Sequence, residues 1–212
     1  MEKIIILGGG DLANKVVEII KRDKLYQIVG YYNNHKNLSK SLNHIKYLGR
    51  FSKFYKNNNF RKENFVLAIG GRPELLSVRS ALIKIIKRKK HKTPKIISKM
   101  AKIHKKAKIG DGSIVFDNVF IDFEAMISDF SIINIGSTIC HHSAIGKNVI
   151  ICPRVLVAGR CKLKDNIFVG SGTIINPKVE IGNNVIIGSM SNVFKNISKK
   201  GRYFGNPVKE VN

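Results

Sequence analysis

The stretch Ile133-Asn134-Ile135-Gly136-Ser137-Thr138-Ile139-Cys140-His141-His142-Ser143-Ala144-Ile145 puts an aliphatic residue at every sixth position. The same phase runs outward in both directions. It starts at Ile97, passes Ile103, Ile109, Val115, Ile121 and Ile127, and continues from Ile151 through Val157, Leu163, Val169, Ile175, Ile181 and Ile187 to Val193. That is 17 hexads without a gap. Four positions after the aliphatic residue stands a mostly small or β-branched one, as at Ser113, Ala125, Ser131, Ser137, Ser143, Val149, Cys161 and Thr173.

A period of six suits neither an α-helix nor a simple alternating strand. It suits a triangular parallel β-solenoid in which each hexad is one flat face and one turn. The aliphatic residue points to the axis, and the small residue points inward near the corner. Gly110, Gly146, Gly170, Gly182 and Gly188 directly follow the aliphatic position, and we read them as relaxing the backbone at the turn. Three hexads complete a coil, so residues 18 apart stack, and 17 hexads give five coils and two further faces.

The first half reads differently. Residues 3–7 form an apolar strand that runs into Gly8-Gly9-Gly10-Asp11-Leu12-Ala13, and residues 12–21 follow as an amphipathic helix. Glycines in a strand–turn–helix context let a phosphate approach the backbone, and the helix N-terminus offers it unpaired N–H groups. A second strand, 28–32, ends at Asn33-Asn34, and a third, 65–69, ends at Gly70-Gly71. A helix from Pro73 to about Lys89 comes next. A full dinucleotide fold needs more strands than this length allows, and the acidic ribose reader is replaced by Asn33 and Asn34. The reading is a small Rossmann-like mononucleotide domain over residues 1–94 and a solenoid over residues 95–212, which makes hydride transfer a poor candidate.

The 212 residues carry 38 basic and 14 acidic side chains, a formal charge of +24. Residues 1–96 hold 22 basic and 6 acidic groups, and the remainder 16 and 8. Lys outnumbers Arg 29 to 9, beside 32 Ile and 20 Asn. AT-rich coding produces that joint excess, which weakens the charge as a sign of a selected surface for anionic partners. The densest run, Lys84 to Lys92, sits at the end of a helix, where cations suit the dipole. No apolar run approaches the ~20 residues of a membrane span, and residues 1–7 lack the pattern of a secretion signal. Cys140, Cys152 and Cys161 form no disulfide framework, which argues for reduced thiols and a cytoplasmic location.

A short glycine-loop α/β domain followed by hexapeptide repeats resembles the bacterial NeuD/PglD-type family of sialic acid O-acetyltransferases and nucleotide-sugar N-acetyltransferases. The segment Asn134 to Gly146 looks like the family's lead into its catalytic His, and Phe204-Gly205-Asn206-Pro207-Val208-Lys209 is similar to the close of hexapeptide acyltransferases. The resemblance implies a left-handed β-helix, acetyl-CoA as co-substrate, a nucleotide sugar as acceptor, a homotrimer and no metal. It implies that His141 is the general base. His142 occupies the place of the usual acidic partner, so another carboxylate takes that role or activation is weaker. Nucleotide-sugar contacts carry over to Gly10, Asp11, Leu12, Asn33, Asn34 and Gly70, with Asn134 near the acceptor. Coenzyme contacts carry over to Ser171 and Ser189, and to Ile150, where the family often has a second His. Gly159, one coil above His141, is expected to leave room for the pantetheine arm.

Other readings compete. Zinc carbonic anhydrases share such solenoids, but His141 and His142, adjacent in an extended segment, would point to opposite faces and make poor co-ligands. A nucleic-acid-binding module lacks aromatic residues interleaved with the basic run. A purely structural solenoid leaves the glycine loop and the His141 segment unexplained.

Overall fold

The computed structural model describes residues 1–36, 40–56 and 63–211, and it divides into two compact units, Met1–Ile96 and Ile97–Asn212.

The first unit is a four-stranded sheet with helices. Strands β1 (Lys3–Leu7), β2 (Gln27–Tyr32), β3 (Tyr47–Gly49) and β4 (Asn64–Leu67) lie in the order β3-β2-β1-β4, all parallel. Helix α1 (Asp11–Arg22) connects β1 to β2 and buries Ala13, Val16, Val17, Ile19 and Ile20 on one face. The short helices α2 (Lys40–Asn43) and α3 (Phe51–Lys56) flank β3, and α4 (Leu75–Arg88) follows β4. The glycine-loop strand and helix, the second and third strands and the long second helix expected from the sequence are present, with ends shifted by one or two residues. The small elements β3, α2 and α3 carry no pattern long enough to read. The chain moves outward from β1 to β2 and β3, then returns to the other side of β1 as β4. The crevice where strand order reverses therefore opens at the carboxyl ends of β1 and β4, the usual ligand position in such sheets.

The second unit is a triangular parallel β-helix. Seventeen short strands from Ile96–Ile97 to Asn192–Val193 fall into three parallel sheets. Partners lie 18 residues apart, as in Met126↔Ala144, Ile132↔Ile150 and Thr138↔Leu156. Every aliphatic residue of the repeat from Val115 to Val193 is buried on the axis. The inward serines do more than fill space. Ser137 Oγ donates to the Cys152 carbonyl at 2.9 Å and accepts the Val155 N–H at 3.2 Å. Ser131 and Ser143 repeat the pattern, each tying one coil to the next where a buried backbone group would otherwise lose its partner.

The corners differ from expectation. None of the five glycines after the aliphatic position has a positive φ. A Cβ there would strike the next coil: at Gly146 it would lie 2.5 Å from the Lys164 carbonyl oxygen. Close approach of coils, not backbone freedom, selects these glycines. The left-handed residue comes two positions later, three past each aliphatic from Ile109 to Ile187. It is Gly at 112, 136 and 172, Asn at 118, 148, 166 and 184, and otherwise Glu124, Phe130, His142, Arg154, Arg160, Lys178 or Met190. Asn and Gly enter that region most cheaply.

Candidate functional site

At the end of β1 the three glycines have separate reasons to be there. A Cβ at Gly8, whose φ is +135°, would overlap the Ala68 carbonyl, so this glycine lets β1 and β4 come together. At Gly9 it would lie 2.6 Å from Asn33 Nδ2. At Gly10, the N-cap of α1, nothing stands within 4 Å. Gly10 is thus the one glycine of the three whose missing side chain leaves open space. Asp11 is exposed in the first turn of α1, where its charge complements the helix dipole, and Leu12 is half-buried beside it.

Asn33 closes the end of β2. Its amide Nδ2 donates to the His35 carbonyl at 2.8 Å, and its own carbonyl accepts the Tyr47 hydroxyl at 2.9 Å. The neighbouring Asn34 is exposed, and Gly70 is half-buried past β4. Sequence reading missed Arg79. This guanidinium is wholly buried on α4 and donates to the carbonyls of Leu67 and Ile69, which fixes the chain as it leaves β4 for Gly70. Burial pulls it down to about 9. In a helix an arginine reads as solvent-facing, so only the tertiary structure reveals it. The basic run at the end of α4 is likewise not all solvated: Lys89 Nζ donates to the Tyr55 carbonyl at 2.6 Å.

In the β-helix, His141 and His142 lie at the corner after Thr138–Ile139, not in an extended segment. His142 takes the left-handed conformation with φ 58°, and this turns the two rings together. Their Nδ1 atoms are 3.0 Å apart and the rings meet edge-on at 87°. One coil below, Glu124 Oε2 lies 3.3 Å from His142 Nε2, so a carboxylate does stand behind the pair. Lys106 Nζ is 3.9 Å from the other Glu124 oxygen and 4.9 Å from the Phe123 ring centre. His142, Glu124, Lys105, Lys106, Ala107, Lys108 and Met126 line an open cavity of about 580 Å³. Three lysines at one mouth suit an anionic ligand.

Gly159 does lie against His141, but its space is taken. A Cβ there would be 2.7 Å from His141 Nε2 and 2.8 Å from Cε1, so the missing side chain makes room for the imidazole. Ile150 is buried in the strand Ile150–Ile151. Asn134 sits one corner earlier than His141, with its Nδ2 donating to the Ile151 carbonyl at 2.9 Å, so the structure spends it on the coil above. Ser171 and Ser189 are exposed and stack 18 residues apart on that same earlier edge. Next to His141, burial and Asp122 push the Cys140 thiol up, which keeps it protonated near neutrality. Among the described residues no group of three or more His, Cys, Asp or Glu side chains is arranged to hold a metal ion, and no helix is long and apolar enough to cross a membrane.

Comparison with known proteins agrees with this layout. The PglD N-terminal domain matches residues 3–82, and the bacterial transferase hexapeptide repeat matches residues 160–195. The chain thus carries a PglD-type N-terminal domain ahead of transferase hexapeptide repeats. The acetyltransferase domain of PglB from Neisseria gonorrhoeae is similar over 100% of both chains, with a TM-score of 0.91 at 20% identity. PerB from Caulobacter crescentus, solved with CoA and GDP-perosamine, covers 100% of this chain and 98% of its own at 0.88 and 21%. WeeI from Acinetobacter baumannii covers 100% of both at 0.86 and 20%. These likenesses fix the fold of the chain as a Rossmann-like domain followed by a left-handed β-helix.

Proposed function

We propose that this PglD-type protein transfers the acetyl group of acetyl-CoA to the amino group of a nucleotide-activated amino sugar, of the UDP-4-amino-sugar type, for surface glycan or glycoprotein synthesis. The observation that carries the reading is the exposed His141 imidazole, held with its Nε2 edge beside side-chain-free Gly159 at a corner of a transferase hexapeptide solenoid. A general base must reach the proton it takes, and an imidazole is suited to do so near neutral pH. Gly10, open in front of the α1 N-terminus, is the place for the nucleotide's phosphates in this reading, and Asp11, Leu12, Asn34 and Gly70 are its further proposed nucleotide-sugar contacts. Amine acetylation is favoured over acetylation of a sialic acid hydroxyl. PerB, of the same fold, was solved with CoA and GDP-perosamine.

The active unit is a cytoplasmic homotrimer in this reading. Phe120, Leu156 and Ile174 are exposed in a line on the face that contains Thr138–Ile139. An aligned apolar stripe marks an interface. His141 lies on one edge of that face, and Ser171 with Ser189 on the other. A threefold assembly that buries the face sets the His141 edge of one chain beside the serine edge of the next, so coenzyme held by both needs two chains. A particle near three times 23.8 kDa supports this, and a fully active monomer contradicts it.

The direct test is thiol release from acetyl-CoA with UDP-, GDP- and dTDP-amino sugars and free sialic acids. Release with a nucleotide amino sugar alone supports the proposal. Release only with a free sialic acid overturns the choice of acceptor, and no release with any overturns the activity.

A further inference from the structure

We infer that Glu124 and His142 form a proton-orienting relay behind His141, in which a carboxylate one coil below acts through a second imidazole. The inference rests on the acetyltransferase reading above and adds a residue that reading does not use.

The 18-residue coil builds the relay. Glu124 and His142 occupy the same place in successive coils, each three past an inward isoleucine, and both are left-handed, with φ 54° and 58°. Their side chains leave the same edge one above the other. His142 Nε2 meets Glu124 Oε2 at 3.3 Å, while its Nδ1 meets His141 Nδ1 at 3.0 Å. One distribution of protons satisfies both contacts and leaves His141 a base. A carboxylate only accepts, so His142 carries its hydrogen on Nε2 and donates it to Glu124. The Nδ1 of neutral His142 is then bare and accepts the Nδ1–H of His141. The lone pair of His141 falls on Nε2, at the edge beside Gly159. Without Glu124 the His142 hydrogen is free to sit on Nδ1 and donate to His141 Nδ1. That drives the His141 hydrogen onto Nε2, where the ring cannot take a proton.

The surroundings leave this contact available. Lys106 approaches Glu124 at Oε1, 3.9 Å away, and so leaves Oε2 to His142. Phe123 packs against His142, with ring centres 5.4 Å apart, and His104 meets Phe123 edge-on at 5.2 Å. In the transfer step the acceptor amine attacks the thioester carbonyl carbon. The N–C bond forms and the C–S bond breaks, with its electron pair going to the coenzyme sulfur. The amine proton passes to His141 Nε2 and from there to the thiolate. The charge that His141 carries meanwhile is shared through Nδ1–H toward His142 and faces the Glu124 carboxylate behind it. Glu124 and His142 are positioning residues, since neither touches the reacting atoms.

The test is Glu124→Ala in the full-length protein, read in two ways. Imidazole ¹⁵N shifts report each ring's tautomer without any turnover. The relay predicts the Nδ1–H form for His141 and the Nε2–H form for His142 in the native protein, with both losing that preference in Glu124→Ala. For turnover it predicts a fall in kcat of ~10–100-fold, the range seen when a partner that orients a metal-bound imidazole is lost, with KM for acetyl-CoA unchanged. Tautomers identical in the two proteins overturn the relay, whatever happens to the rate. A tautomer change with kcat unchanged overturns its role in catalysis. If no acceptor supports turnover, the proposed activity fails while the tautomer measurement still decides the relay.

Discussion

Gly10 and Gly159 are alike in sequence and opposite in use. Both lie outside the left-handed region, so neither is required by backbone conformation. At Gly159 the absent side chain is replaced by the chain's own His141 ring, 2.7 Å from where a Cβ would be. At Gly10 nothing of the protein comes within 4 Å. A missing side chain therefore makes room for the chain's own ring in the β-helix and leaves open space in the Rossmann-like domain, the space that the proposed nucleotide site uses. Substitutions at the two should fail in different ways, and that contrast can be broken.

The larger effect belongs to Gly159→Ala. The backbone accepts alanine, so the fold should persist, but the methyl group displaces the imidazole. We expect kcat to fall ~10–100-fold, since a misplacement of about 1 Å can cost that much, with the melting temperature little changed. A variant with native kcat would show that the ring does not need its observed place. Next is Gly10→Val, which fills open space only. The acceptor KM should rise about tenfold, about 1.4 kcal/mol of binding, while kcat at saturation and KM for acetyl-CoA hold. An unchanged acceptor KM would remove the glycine loop from the nucleotide site. The smallest effect is at Cys140, which shares the corner with His141. With its thiol pushed up by burial and Asp122, little thiolate exists at pH 7, so iodoacetamide should label it slowly and faster only as pH rises above the ordinary thiol range. Cys140→Ser should keep kcat within about twofold, because a neutral thiol is a poor nucleophile. Rapid labelling at pH 7 would contradict this.

What the sequence discloses follows from how locally each feature is encoded. The hexad phase alone locates the axis residues from Ile97 to Val193 and the 18-residue stacking, because every coil repeats the same local rule. That arithmetic also places residue 124 beneath residue 142. It does not disclose that corner residues turn left-handed, and without that turn His141 and His142 read as pointing apart. For the same reason Gly110 and its counterparts read from sequence as relaxed turns, whereas the neighbouring coil at that site is what excludes a Cβ. In the first unit the glycine loop is legible because strand, turn and helix are contiguous. Strand β3 spans three residues and α3 six, too few to show a period. The burial of Arg79 depends on carbonyls at the end of β4, which α4 approaches only in the folded unit.

The central claim is that His141 takes the acceptor's proton during acetyl transfer. Its most direct measurement is the rate of thiol release from acetyl-CoA at saturating nucleotide amino sugar, compared between the native protein and His141→Ala. The account predicts a loss of ~10²–10⁴-fold in kcat with coenzyme affinity retained. Near-native turnover by His141→Ala would contradict it.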